Sequence, residues 1–178
     1  HSQFERIPIS DERQEAMLRK QIDDLEMAIQ SARYEQDGGR YTVKQIEKTR
    51  KTLQTRLEKL NQKEKKDQVV TFEELGVDHL YVDEAHSYKN AFLYTKMRNV
   101  AGIAQNEAQK SADMFNKCQY LDEITGGKGI TFATGTPISN SMTELYVMQR
   151  YLQNSKLQNM GLGLFDSWAS TFGEVVTS

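Results

Sequence analysis

Cysteine is nearly missing: Cys118 stands alone in 178 residues. That excludes an internal disulfide and every cysteine-based zinc framework, and it fits a reducing compartment, so the cytoplasm is the expected location. No stretch approaches the roughly 18 consecutive apolar residues of a membrane helix. The opening HSQFERIPIS has neither the basic start nor the apolar core of a signal peptide. No membrane partner is therefore expected. A dominant charge is also lacking, because 23 basic and 25 acidic side chains are spread along the chain and leave a net charge of −2. Net charge thus says nothing for or against nucleic acid. An initiator methionine is absent, and the chain reads as an excised fragment. The length suits one domain with a real core and an appendage, not two large domains.

What is present begins with helix. Leu18, Ile22, Leu25, Ile29 and Ala32 recur at steps of four and three, a narrow apolar seam. Ser10 can cap this helix, with Asp11 and Glu12 in the first turn where the macrodipole favours acids. DGGR, residues 37–40, allows a reversal. A second helix is predicted over Val43 to Lys65, with Ile46, Leu53, Leu57 and Leu60 in the seam and Arg50 interrupting it. Two such helices fold back as an antiparallel coiled-coil hairpin about 35 Å long at ~1.5 Å per residue. A seam this narrow cannot wrap a globular core.

Composition then shifts. Thr71 and Glu74 suggest a capping box for one helical turn ended by Gly76, and a strand is predicted from His79 to Val82. Residues 91–106 read as irregular, followed by a helix with Ala108, Ala112, Phe115, Cys118, Leu121 and Ile124 on one face and a turn at GGKG, residues 126–129. ITFA, residues 130–133, reads as a buried strand. Ser141 and Glu144 form a second capping box opening a helix through Leu145, Met148, Tyr151 and Leu152. A short helix is predicted around Phe165 to Phe172 in a tail that is otherwise weakly patterned. Strand, helix, strand, helix implies an α/β fold with two parallel strands and a right-handed crossover. The chain divides into a lead-in segment (1–9), a helical insertion (10–67), a partial α/β core (68–153) and a tail (154–178).

The chemistry sits at strand ends. LYVDEAHSYKN, residues 80–90, runs apolar residues into two acids, and burying an unpaired carboxylate is costly. At the carboxyl edge of a parallel sheet, Asp83 can hold magnesium and Glu84 can orient or deprotonate a water. Alone, the pair is better read as a solvated turn after a strand. His79 and His86 lack the third ligand and helical spacing of a zinc site. The run Lys59, Lys63, Lys65, Lys66 can follow a DNA backbone, but the intervening Glu58 and Glu64 favour the wet face of a helix. Phe165, Trp168 and Phe172 can stack bases, yet their spacing fits a buried helix face better. Lys89 and Asn90 either contact the strand-end loop or cap its turn.

VDEAHSYKN resembles motif II, the DEAH box, of superfamily 2 helicases, and ATGTPISN, residues 133–140, resembles motif III of Swi/Snf-type DNA translocases. HSQFERIPIS and the inserted hairpin are similar to the helicase-methylase proteins of phages and mobile elements. The resemblance implies a partial RecA-like sheet with flanking helices, ATP and magnesium as cofactors of the longer protein, and DNA as partner. It implies that Asp83 binds magnesium through water, that Glu84 activates the hydrolytic water and that His86 links the two motifs. Thr134, Gly135, Thr136, Pro137 and Asn140 would couple hydrolysis to movement. The departures are large. No G-x-x-x-x-G-K-[ST] phosphate loop occurs, and GGKGIT has the wrong spacing and context. A second motor domain is absent too, so the fragment itself is expected to be inactive and to bind no cofactor. The missing phosphate-loop strand would leave the Ile130–Ala133 edge open, to be covered by a homodimer, by a swapped segment or by the tail. The competing reading is a coiled-coil binding module on a degenerate α/β scaffold. A nuclease with Asp83 and Glu84 as ligands lacks further acids.

Overall fold

A computed structural model describes residues 3–34, 39–62, 69–95, 108–139 and 141–174. Its contacts separate two compact units, Ile9–Thr71 and a second made of His1–Pro8 with Phe72–Ser178.

The first unit is a helix pair. Helix α1 (Asp11–Tyr34) starts where the Arg13 N–H donates to Ser10 Oγ at 3.4 Å, and Asp11 and Glu12 occupy its first turn. It packs along α2 (Gly39–Asn61) by burying Ile22, Leu25, Ala28 and Ile29 against Ile46 and Leu53. Arg50, which interrupts the seam in sequence, is half-buried and reaches Glu26 at 3.2 Å. Helix α2 spans Gly39–Asn61 and so begins four residues before Val43, while Lys65, the expected end, lies outside the described residues. Gly39 lies within the helix, and residues 35–38, which hold the rest of the expected reversal, lie outside the described residues.

The second unit is mixed α/β. Strands β1 (Leu80–Val82) and β2 (Ile130–Phe132) pair parallel in the register Leu80↔Ile130, Tyr81↔Thr131, Val82↔Phe132. Between them runs α3 (Gln109–Thr125), which contacts β2 and packs on α4 (Met142–Asn159). Phe115, Cys118 and Leu121 are buried on α3, but Ile124 is half exposed beyond the last packed turn. On α4 the buried apolar side chains are Tyr146, Val147, Met148, Tyr151 and Leu157, while Leu145 faces solvent. Tyr151 sets that orientation: its ring meets Phe115 and Phe132 at 5.7 and 5.4 Å, and its hydroxyl lies 3.0 Å from the carbonyls of Tyr88 and Ser111. The tail forms α5 (Phe165–Phe172), whose Phe165 and Trp168 are buried against Tyr146. Trp168 Nε1–H also donates to Gln149 Oε1 at 2.8 Å, which removes this indole from any base-stacking role. Phe172 is 55% exposed, so only two of the three tail aromatics lie inward.

The helix pair leaves and rejoins the α/β unit at one neck. Phe72 N–H donates to the Pro8 carbonyl at 2.8 Å. The expected helical turn after Thr71 is instead a turn over residues 72–76 that ends at Gly76 with φ 68°. Fully buried Lys117 fastens the neck, donating to the Phe4 carbonyl at 3.1 Å and Asp113 Oδ2 at 2.5 Å. Its ammonium also stands 4.3 Å from the Phe4 ring centre and 5.8 Å from that of Phe72. Burial raises the Asp113 carboxyl above its ordinary value despite the opposing hydrogen bond and charge of Lys117. Removing Lys117 would strand that partly buried acid.

Two outcomes follow for stability. Replacing residues 9–71 by a short Gly/Ser linker should leave the α/β unit folded with Trp168 still shielded, as read by fluorescence; loss of that shielding would show that the neck is not self-sufficient. Desolvation pushes the Cys118 thiol far up from its ordinary 9.0 and also raises Tyr88. A raised native pKa means that stability is intact below the unfolded value and is lost above it. Stability should therefore fall above about pH 9, by up to about 1.4 kcal/mol per pH unit through the thiol alone. Cys118→Ala should flatten that fall in thermal unfolding scans.

Candidate functional site

The parallel register decides what shares the carboxyl rim of the sheet. Beyond the paired strands, the Ala133 N–H donates to the Val82 carbonyl at 2.8 Å and the Ala85 N–H to the Ala133 carbonyl at 3.1 Å. The backbone thus stays zipped until residues 83–86 and 133–136 lie side by side. At the other end, the Leu80 N–H reaches the Gly129 carbonyl at 2.8 Å. A Cβ on Gly129 would come within 2.9 Å of the Asp78 carbonyl, so the strands approach too closely there for a side chain. The Gly126–Gly129 turn is therefore at the opposite end of β2 from Thr134. Helix before and strand after is the reverse of a phosphate-loop context.

Glu84 makes the turn off β1. Its φ of 52° and ψ of 44° are left-handed, a conformation no other non-glycine adopts among the described residues. Such a residue costs about 1–2 kcal/mol. The turn persists because both sides are fixed: Ala85 and Tyr88 of the following 3-10 helix (Ala85–Tyr88) are buried, and Ser87 N–H donates to the Glu84 carbonyl at 3.0 Å. Asp83 Oδ1 accepts the Glu84 N–H at 2.9 Å. Both carboxylates face solvent, so the strand buries neither.

Two side-chain bridges cross from this loop to the next. His86 Nδ1 lies 2.9 Å from Thr134 Oγ1 and 3.2 Å from Glu84 Oε2. Thr134 Oγ1 also accepts the Thr136 N–H at 3.1 Å. When Nδ1 carries a proton it donates to these oxygens; when it does not, the Thr134 hydroxyl donates to it. The second bridge was not legible in the sequence. Lys89 Nζ donates to Ser139 Oγ at 2.5 Å and pairs with Glu144 Oε1 at 2.9 Å. Ser139 sends both its N–H and its hydroxyl to Glu144 Oε2, at 2.6 and 3.0 Å. The Glu144 side chain is only 8% exposed, so this acid is held by an ammonium, an amide and a hydroxyl where water is scarce. The expected capping box is thereby corrected: Ser141 makes no side-chain cap, and Glu144 reaches past it to Ser139. Asn140 lies outside the described residues.

Gly135, Thr136 and Pro137 form an exposed turn on the same rim. His79 is elsewhere, on the outer face at the amino end of β1, stacked on Tyr81 and 3.0 Å from Thr131 Oγ1. Among the described residues no three His, Cys, Asp or Glu side chains come together to enclose a metal. A hydrated magnesium needs only one or two carboxylates, and Asp83, exposed with Oδ1 engaged by one N–H, suits that mode.

A family model described as a probable helicase domain matches residues 1–178. The Defense against restriction protein B of Escherichia phage P1 is 31% identical over 116 residues, covering 62% of this chain and 5% of that protein. The chain thus spans a small fraction of this relative's length. No solved structure matches it. No helix among the described residues is long and apolar enough to cross a membrane.

The two glutamates of the site should differ in sign. Glu84→Gly relieves a strained backbone and should raise stability by about 0.5–1 kcal/mol. Glu144→Ala strands Lys89 and Ser139 and should lower it by about 3 kcal/mol. Urea unfolding measures both; equal losses at the two positions would contradict the division into a strained exposed acid and a locking buried one.

Proposed function

Because the chain belongs to the probable helicase domain family, we propose that its paired strand ends form the magnesium-and-water side of the nucleotide site in a longer ATP-dependent DNA helicase or translocase. The reading assigns residues 80–90 and 133–140 to motifs II and III of a superfamily 2, Swi/Snf-like motor with a RecA-like sheet. The helix pair is then a coiled-coil insertion. What carries it is one observation: the two acids after β1 and the Thr134 turn after β2 share a rim and are joined through His86. The phage relative supports a mobile-element source.

In this reading Asp83 holds magnesium through retained waters. Bound magnesium neutralises charge on the transferring phosphoryl group. Glu84, exposed and aimed off the strand end, positions a water by hydrogen bonding and accepts its proton at a carboxylate oxygen. His86 senses that residue and Thr134 together, since one ring nitrogen is within reach of both. A change at Glu84 is thereby transmitted to the turn at 134–137. Lys89, Ser139 and Glu144 keep the two loops in register while this happens. The 178 residues contain no phosphate loop, so the chain alone should not turn over ATP. Self-association through the open β2 edge belongs to the same proposal.

In a longer protein that supplies the phosphate loop, Glu84→Gln should cut ATP turnover by about 10²–10⁴-fold with nucleotide binding retained. Thr134→Ala should leave more hydrolysis than movement on DNA. Magnesium-dependent, DNA-stimulated turnover by the 178-residue chain itself, abolished by Glu84→Gln, would contradict the expected inactivity.

A further inference from the structure

The helix pair carries a surface that the nucleotide site does not use. Helix α2 has seven Lys and Arg residues against two Glu. At 100° per residue, Lys44, Lys48, Lys51 and Lys59 fall on one stripe, opposite the buried Ile46 and Leu53. All four lysines are exposed, and none makes an ion pair among the described residues. Two arginines elsewhere on the pair are engaged: Arg19 binds Glu15 and Arg50 binds Glu26.

This arrangement works against the helix. Lys44–Lys48 and Lys48–Lys51 stand at i,i+4 and i,i+3, where like charges repel. The first turn of α2 holds no acid to meet the macrodipole. Glu47, three residues after Lys44 and four before Lys51, and Glu58 border the stripe on one edge and offset part of this repulsion, leaving Lys48 and Lys59 on the side with no acid. The self-repulsion is relieved when a polyanion lies along the stripe.

We propose that Lys44, Lys48, Lys51 and Lys59 bind the phosphate backbone of duplex DNA. The row spans about 22 Å at 1.5 Å per residue, a rigid line suited to a rigid rod of phosphates. Single strands are held by aromatic platforms, and residues 44–59 contain no aromatic. A membrane surface requires an apolar face to insert, and the apolar face of α2 is buried against α1. The proposal depends on the helicase reading only for the choice of DNA as the polyanion.

The test titrates the 178-residue chain with a short fluorescein-labelled duplex and follows anisotropy as salt rises. Four phosphate contacts predict a slope of log K against log[salt] of about −3.6, or about 150-fold weaker binding from 50 to 200 mM salt. Changing all four lysines to Gln should remove that dependence and the binding with unchanged helicity by circular dichroism. Changing all four to Arg should preserve both. Lys20→Gln, Lys128→Gln and Lys156→Gln together should change neither. Equal loss in this control set, unaltered binding in the Gln variant, no duplex binding at all, or binding to phosphatidylserine vesicles in place of duplex would each overturn the proposal. Glu84→Gln separates the two readings: in the 178-residue chain it should leave the slope and the duplex affinity intact, while its effect on turnover, read in a longer protein that supplies the phosphate loop, bears on the nucleotide site alone.

Discussion

The site depends on a parallel backbone ladder only three residues long. Because β1 and β2 run the same way and in matched register, their carboxyl ends terminate together, and the bonds from Ala133 to Val82 and from Ala85 to Ala133 carry the pairing into the loops. An antiparallel pair, or a slip by one residue, would send Thr134 away from His86 and turn alternate side chains to the wrong face. So short a ladder is weak by itself. It is held from behind by Tyr151, which packs on Phe132 and touches the Tyr88 carbonyl, so one α4 side chain braces both strand exits.

On that frame two acids are treated in opposite ways. Glu144 is buried and satisfied by three donors, and its chemistry is used up in joining the loops. Glu84 is exposed, in left-handed backbone, with its carboxylate near a titratable ring. Strain retained at an exposed acid beside a satisfied, buried one is the pattern expected where a side chain must be presented to a reactant rather than packed. The burial of Ala85 and Tyr88 on the following turn over-determines the conformation and lets the strain persist.

Much of this was legible in the sequence where local pattern and tertiary demand agree. Apolar runs ending in polar turns placed both strands to within a residue, Ser10 marked the start of α1, and the 165–172 spacing marked α5. The failures share a cause, in that distant residues overrode a local signal. Lys117 carried no signal in the sequence, because Phe4 and Phe72, which enclose it, are remote along the chain. Glu144 fits a capping box so well that its pairing with Lys89 left no separate trace. Leu145 follows the expected apolar spacing but is displaced by Tyr146, whose ring is claimed by α5. The left-handed turn has no signal at all, since the residue there is Glu rather than Gly or Asn.

Within the α/β unit, Pro8 and Phe72, the residues on either side of 9–71, are joined by one backbone bond beside the Lys117 cage. The most direct measurement of the central claim is a nuclear Overhauser spectrum of the 178-residue chain. Cross-peaks from the His86 ring to the Thr134 methyl, together with one from the Ala85 amide to the Ala133 backbone, are the predicted result. Their absence in a folded sample would place the two loops apart and contradict the shared rim.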